Sequence, residues 1–490
     1  MDANVTVWLD NLSKAARGEA APPPSDTLLS IENRVKDATD DDLSGITSQL
    51  FGLHGLPEAI VASLDGETAE MRTPEKKELR EAALRFLEVL VDEYTETREN
   101  AAAQIAAYAV PIVATCLRVF KLGESKEQEL SLYPVLQVVE LKAHVAGRAL
   151  QDELFPEREA GGERRHVVDL CWDYMCRTSS GARRSTPTVR GLCYQLLGKL
   201  ALLFPVDVSN ERVYTEKRLF NSATADLRQQ VGRADRQDTA NVKEQLGVVA
   251  GALTALDGLL SDTDDLRLPE IDVVWSQLLR CLAINVGEIK RFNAPKAALE
   301  LLGHRIDLFA CVEQWTPPPG TASASVEVAR LGQSRLLAAT PGADGRPADG
   351  AELAAVALWR HLLALSTHHN RNLRLLATEV LGIFLRRTSA QVCGAAELVT
   401  AADDAVVQRA RTIYGFLRGE VRRLAQRPPA ELDAAELSTL LSAVGELAGP
   451  MRRFDGEAEV HTQLRALCEL AAAVYQPAAL RHSEAARRGA

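Results

Sequence analysis

Apolar residues recur at helical spacing along almost the whole chain, and this one period restricts what the chain can fold into. In one segment Leu246, Val249, Leu253 and Leu256 follow it, because residues three and four apart share one face of a helix. Runs that alternate between apolar and polar residues, as half-buried strands require, are nearly absent. The sequence therefore predicts an all-α fold.

The helical segments follow one another with short polar, glycine or proline breaks, at roughly 40 residues per pair of helices. Each apolar stripe is too wide to remain in water and must be buried against a neighbouring helix. We predict a right-handed α-solenoid of degenerate HEAT- or armadillo-like antiparallel helix pairs, in which each pair contacts its neighbours. A chain of 490 residues can form one such superhelix.

Several helix boundaries are marked by capping residues. Thr73 is a predicted N-cap followed by Pro74 in the first turn, and Asn293 is a predicted N-cap within the clearest helix–turn–helix unit, residues 273–309. Pro111 lies inside an otherwise helical pattern, so we expect a kink there.

The pattern divides the chain into five parts. Between residues 316 and 350 proline, glycine and alanine dominate, and we expect a flexible insertion around a short, weakly helical piece. The predicted parts are N-terminal helices and a linker (1–72), a HEAT-like solenoid (73–315), the flexible insertion (316–350), a continuing solenoid (351–478) and a tail (479–490).

Charge and cysteine content limit the classes of function. The net charge of −11 argues against a protein whose whole surface binds nucleic acid. The eight cysteines lack paired short spacing, which predicts reduced thiols and a nuclear or cytoplasmic location. No segment approaches the ~18 consecutive apolar residues of a membrane span, so we expect no membrane partner.

Motifs for catalysis are absent from the sequence. Gly198-Lys199 is followed by Leu200 rather than by the hydroxyl residue that a nucleotide-binding loop requires. There is no nucleophile elbow, no zinc-binding H-E-x-x-H pair, no Rossmann fingerprint and no kinase D-F-G triplet. We therefore predict no enzymatic activity, no catalytic residue and no cofactor for these residues.

Two clusters have the residue types of a metal site. Cys171 and Cys176 with His166 have a spacing that points the thiols to different helix faces, which favours packing in the core. His361, His368 and His369, near Arg371, are interpreted as polar residues at a helix end rather than as a metal or proton site. We predict no metal.

One surface segment is a candidate site. Arg177, Arg183, Arg184 and Arg190 are interspersed with serine, threonine and glycine between two predicted helices, with no acidic residue among them. Arginine donates hydrogen bonds in pairs to phosphate, which predicts a contact with the DNA backbone or another polyanion. A solvated linker is the alternative.

The segment 189–205, with Tyr194, Gly198 and the terminal pair Phe204-Pro205, resembles the N-terminal HEAT region of the DNA-dependent protein kinase catalytic subunit, of the phosphoinositide 3-kinase-related kinase family. The helices at 86–91 and 107–120, and the unit from Trp275 to Phe309, are similar to that region in order and spacing. The resemblance covers about residues 73–310 and is weaker at 358–475. The full-length family is a Ser/Thr protein kinase, whose kinase motifs this sequence lacks.

The resemblance implies a nuclear scaffold for double-strand break repair by non-homologous end joining, with double-stranded DNA ends and the Ku heterodimer as partners. Catalysis would lie outside these residues. The alternative is a general HEAT- or armadillo-type adaptor between proteins, unrelated to DNA repair, in the cytoplasm or the nucleus.

Overall fold

A computed structural model describes most of the predicted helices. The described residues are 14, 77, 81, 84, 85, 87, 88, 91, 109–140, 148–155, 167–175, 185–209, 216–234, 242–260, 271–283, 294–310, 323–342, 351–398, 405–428, 434–470 and 472. They form two compact units, Met1–Asp226 with Asp238–Leu259 (unit 1) and Leu227–Gln237 with Leu260–Ala490 (unit 2).

Eight described helices begin in unit 1. They are α1 (Ala109–Leu122), α2 (Ser125–Glu140), α3 (Arg148–Leu154), α4 (Val167–Met175), α5 (Pro187–Leu203), α6 (Pro205–Ser209), α7 (Glu216–Ala234) and α8 (Val242–Leu260). Helix α1 packs on α2 and α3, and α5 packs on α2 and α4. The wholly buried side chains of α5 include Tyr194 and Leu197. Unit 1 is thus built on mutually buried helix faces, as the apolar period predicts.

Unit 2 contains a second set of helices. They are α9 (Ile271–Leu282), α10 (Ala294–Ala310), α11 (Ser323–Gly332), a 3-10 turn (Arg335–Leu337), α12 (Ala354–Ser366), α13 (Arg371–Glu397), α14 (Ala405–Ala425), α15 (Ala434–Phe454) and a helical segment at 457–470. The 27-residue α13 contacts α10, α11, α12, α14 and α15 and is the centre of this unit.

The described residues confirm the all-helical prediction. Among them no strand occurs, and the bridge between Ala339 and Leu353 is an isolated one. The predicted 273–309 unit is present as α9 packed on α10, with the Trp275 and Phe309 rings stacked at 5.1 Å. Helix α10 is interrupted at Arg305, whose φ of −133° and ψ of 34° are not helical.

Several predicted boundary features lie outside the described residues, namely Thr73, Pro74, Asn293, the segments 1–13, 15–72 and 473–490, and residues 101–108 before Pro111. Pro111 itself lies in the described α1, but the residues that precede it on the other side of a kink are not described. The predicted kink therefore stays a prediction.

Residues 323–342 are the described part of the predicted flexible insertion, whose mobility stays a prediction. They form α11, the 3-10 turn and the segment that pairs with Leu353, and Leu331, Leu336 and Leu337 are buried. The Ser276 Oγ donates a hydrogen bond to the Gly342 carbonyl at 2.6 Å. Burial of the three leucines offsets the entropic cost of ordering this segment. The proline and glycine residues alone offer too little apolar area to do so.

Glycines allow a close helix contact in unit 1, between α5 and α8. A Cβ atom on Gly198 of α5 would lie 2.3 Å from the Thr254 carbonyl oxygen of α8, and one on Gly258 would lie 2.3 Å from the Gly198 carbonyl oxygen. Gly191 and Gly251 form the same contact two turns earlier. The two helix backbones therefore touch along a ridge that admits no side chain.

Candidate functional site

The predicted polyanion loop lies between α4 and α5, and the structure describes its two ends. Thr186 is the N-cap of α5, and its hydroxyl accepts a hydrogen bond from the Val189 amide at 3.3 Å. The Ser185 Oγ donates to the Tyr174 carbonyl in α4 at 2.5 Å. Arg177, Arg183 and Arg184 lie outside the described residues, so their contact with phosphate stays a prediction.

Arg190 does not belong to that surface, and its assignment to the candidate site is wrong. It lies in the first turns of α5 with 4% of its surface exposed, and its Nε is 3.5 Å from Oδ2 of Asp226, which is 1% exposed. A guanidinium enclosed in the core beside a carboxylate is not available to an external phosphate. The partner of Arg190 is not evident from the sequence, because Asp226 is 36 positions away, in α7.

Asp226 is the centre of a buried polar network between α5 and α7. The Tyr194 hydroxyl donates to Asp226 Oδ2 at 2.9 Å and lies 2.6 Å from the Ser222 Oγ. Tyr194 is wholly buried, so its hydroxyl must find hydrogen-bond partners within the protein, and Asp226 and Ser222 are two of them. Such a network fixes the register of two helices, because a slip would leave a charge unpaired in the core.

Cys171 and Cys193 lie beside this network on α4 and α5. Burial raises the pKa of the Cys193 thiol well above its usual range, and a hydrogen bond with Cys171 raises it further, against a smaller lowering by Arg190. A thiol held protonated is a poor nucleophile and a poor metal ligand. The predicted packing role fits this environment; Cys176 and His166 of the same cluster lie outside the described residues.

The three histidines lie on α12 and on the turn that follows it. The rings of His368 and His369 are 4.1 Å apart, and His368 Nδ1 accepts a hydrogen bond from the Asn370 amide at 3.1 Å. Desolvation lowers the pKa of His361 and of His368. Asn370 is the N-cap of α13, so His368 and His369 lie at a helix junction, whereas His361 lies inside α12. Within the described ranges, no group of three or more His, Cys, Asp or Glu residues could hold a metal ion.

Three arginines of α14 are engaged in ion pairs. Arg418 contacts Asp455 at 2.7 Å and Glu459 at 3.5 Å, Arg422 also pairs with Glu459, and Arg423 pairs with Glu420. Hydrogen bonds from Gln463 and then Arg422 lower the pKa of Glu459. Of the other basic clusters in the sequence, Arg386 lies 3.9 Å from Glu446 and Lys296 lies 3.9 Å from Glu300, while Lys290 and Arg291 lie outside the described residues.

Sequence reasoning missed the burial of Arg190, although a signal was present. Arg190 precedes Cys193, Tyr194 and Leu197 by three, four and seven positions, so it shares their helix face. An arginine within a wide apolar stripe indicates a buried ion pair and not a surface charge. Asp226 likewise lies on the apolar face of α7, because Ala223 precedes it by three residues and Leu219 by seven.

In the part of the chain that the structure describes, no helix has the length and apolar character needed to cross a membrane. Comparison with protein-family models and with curated proteins finds no match for the chain. The resemblance to the DNA-dependent protein kinase catalytic subunit stays a prediction from sequence.

Proposed function

We propose that this chain is a non-catalytic helical-repeat scaffold that holds partner macromolecules. The observation that supports it best is the succession of helices that bury their apolar faces on their neighbours, in α1 with α2, α9 with α10 and α12 with α13. Such pairs, stacked as HEAT- or armadillo-like repeats, form the extended surfaces on which solenoid proteins bind other chains. The solenoid arrangement of the pairs is part of the proposal.

The partners that we propose first are double-stranded DNA ends and the Ku heterodimer, in nuclear end joining. The sequence resemblance over residues 73–310 supports this proposal. The loop between α4 and α5 supports it further, because three arginines, Arg177, Arg183 and Arg184, occur there without an acidic neighbour in sequence. Contacts of this kind bind the phosphate backbone and are independent of base sequence.

A general protein adaptor is the second candidate. It is favoured by the ion pairs on α14, where carboxylates already occupy Arg418, Arg422 and Arg423. An arginine whose charge is already neutralised adds little attraction for phosphate, and the net charge of −11 opposes nonspecific binding of DNA. A peptide partner would show weak dependence on salt.

The two candidates are separated by a titration of the full chain with blunt duplex DNA at two salt concentrations. The test variant replaces Arg177, Arg183 and Arg184 with glutamate, and the control variant makes the same charge change at the exposed Arg371, Arg409 and Arg465. We expect the test variant to bind more weakly to all sequences, with the log–log salt slope smaller by about 0.9 for each lost phosphate contact. Equal binding by both variants, or none by the natural chain, would favour the adaptor.

The absence of catalysis is tested separately. The purified chain is incubated with ATP, magnesium and a generic Ser/Thr peptide, and phosphate transfer is followed. We expect no transfer above the background of a mock purification, because phosphoryl transfer requires a nucleotide lysine and metal-binding carboxylates in context. Transfer that copurifies with the chain through several columns would overturn the scaffold proposal.

A further inference from the structure

Thr186, whose hydroxyl caps α5, is flanked in sequence by basic residues and a proline. Thr186 is exposed, and it is followed by Pro187 and preceded by Arg183, Arg184 and Ser185. It therefore has arginines three and two residues before it and a proline directly after it. Protein kinases select substrates by such charge patterns and local residues around the acceptor hydroxyl.

The backbone at Thr186 has the conformation that an acceptor segment needs. Its φ of −62° and ψ of 158° are extended, and Pro187 occupies the first helical position. The positions that carry the pattern end at Pro187, so a kinase groove could bind them with little unwinding of α5. The helical hydrogen bonds that involve Thr186 are those from the Val189 amide to its hydroxyl, at 3.3 Å, and from the Arg190 amide to its carbonyl, at 3.0 Å.

The neighbouring hydroxyl differs in its surroundings. Ser185 is partly buried, and its Oγ donates to the Tyr174 carbonyl at 2.5 Å, which ties it to α4. A hydroxyl that already donates its proton to a carbonyl must break that bond before it can act as a nucleophile. Of the two adjacent residues Thr186 is the exposed one, and in the hydrogen bond described above its hydroxyl accepts and does not donate its proton.

We propose that Thr186 is a phosphorylation site for a Ser/Thr protein kinase that recognises the arginine pair, the following proline or both. In the transfer, the Thr186 Oγ1 forms a bond to the γ-phosphorus of ATP as the bond to ADP breaks. The hydroxyl proton passes to the carboxylate base of the kinase, and magnesium-bound ADP leaves. This inference goes beyond the proposed scaffold function and does not depend on the identity of the partner.

The phosphate has a defined effect on the fold. It places nearly two negative charges beside the amino end of a 17-residue helix, where backbone N–H groups and the helix dipole favour anions. It also neutralises part of the arginine-rich loop that precedes it in sequence. We expect amide hydrogen exchange in the first turns of α5 to slow by roughly two- to fivefold.

The test is phosphorylation of the folded full-length chain by two purified kinases, one arginine-directed and one proline-directed, followed by tandem mass spectrometry. We expect phosphate on Thr186, its loss in Thr186→Asn, and its persistence in Ser185→Ala. Asparagine is an equally good N-cap without a phosphorylatable hydroxyl, so Thr186→Asn keeps the helix start intact. Replacing both Arg183 and Arg184 with alanine should slow the first kinase, and Pro187→Ala should slow the second.

Three results would overturn the proposal. They are phosphate on Ser185 or Thr188 with Thr186 unmodified, phosphate on Thr186 only after thermal unfolding, and no modification by either kinase. Because mass spectrometry reads the modified residue directly, each result is independent of whether the chain binds DNA.

Discussion

Two helix interfaces of this protein are held together in opposite ways. In unit 1, α5 and α8 meet through glycines, with backbone atoms of one helix against backbone atoms of the other. In unit 2, α14 meets the segment 457–470 through long side chains, where Arg418 and Arg422 share the Glu459 carboxylate. The backbone atoms at the first interface cannot move aside unless a whole helix moves, whereas the long side chains at the second can exchange partners. We therefore expect substitutions at the two interfaces to differ in both size and salt dependence.

The ion pairs of the two units show the same contrast. Arg190 and Asp226 are almost fully buried, and removal of either leaves the other charge in a medium of low dielectric constant. Arg418 and Asp455 remain a fifth to a quarter exposed, so water and salt screen their attraction. Burial and not distance decides what each pair contributes, because 2.7 Å separates the exposed pair and 3.5 Å the buried one.

The largest effect is expected from Asp226→Ala. This change leaves the Arg190 guanidinium in the core without the Asp226 carboxylate and removes the acceptor of the Tyr194 hydroxyl, at a cost of about 3–5 kcal/mol. Urea unfolding followed by hydrogen exchange of α5 peptides measures it. The double variant Arg190→Met with Asp226→Leu is the control and should recover most of the stability, since an apolar pair of similar volume replaces the charges. A double variant as unstable as the single one would contradict this account.

The next largest effect is expected from Gly198→Ala. The added methyl group would meet the Thr254 carbonyl oxygen at 2.3 Å, and because that oxygen belongs to a helix backbone, α5 and α8 must move apart. We expect a loss of about 1–3 kcal/mol in the free energy of unfolding. Gly415→Ala in α14 is the matched control, because nothing lies within 4 Å of its added Cβ. That variant should gain about 0.5–1 kcal/mol from the higher helix propensity of alanine.

Opposite signs for the two glycine variants would support the contrast between the interfaces. If both variants lose similar stability, glycine in α14 also has a packing role. If both gain stability, the backbone contact does not restrict the packing of α5 on α8.

The helices themselves could be predicted from sequence, because their period and their breaks are local. The unit predicted at 273–309 corresponds to α9 (Ile271–Leu282) and α10 (Ala294–Ala310), and the apolar stripe that begins at Leu246 lies in α8 (Val242–Leu260). Helix α13 (Arg371–Glu397) shows the same local rule, because Val392, Ala395 and Ala396 continue its buried face into its last turns.

Pairings between distant helices could not be predicted, since no local rule connects Arg190 to Asp226 or Gly198 to Gly258. The predicted polyanion loop shows the same limit of prediction from sequence. Its residues look alike in sequence, yet Arg190 is enclosed in the core by contacts that form only after α5 and α7 pack.

A smaller effect is expected from Arg418→Met in the exposed network. The change removes contacts with Asp455 and Glu459 and should cost about 1 kcal/mol or less, because both carboxylates keep some access to water. The loss should shrink in 1 M salt, where the Debye length is about 3 Å. Arg452→Met is the control, since Arg452 and Glu457 are 62% and 68% exposed and their pair should contribute nothing measurable. A salt-independent loss at Arg418 would mean that its aliphatic stem, and not its charge, stabilises the interface.

The smallest effect is expected from the titration of Glu459. Hydrogen bonds from Gln463 and then Arg422 lower the pKa of its carboxyl group below the usual ~4.3, so the folded state favours the charged form. The stability that this carboxylate contributes is fully present above that usual value and is lost as the pH falls through the lowered pKa. Between about pH 5 and pH 3 the natural chain should therefore lose protection of the 457–470 amides, by under about 1 kcal/mol.

In Glu459→Gln this loss of protection at acid pH should be missing, although the variant starts from slightly lower protection at pH 7. Glu457→Gln, which changes the exposed neighbour, should retain the pH dependence of the natural chain. If both variants follow the natural chain, the docking of 457–470 does not depend on the Glu459 charge, and the interface is held by Val460, Leu467 and the other apolar side chains that it buries.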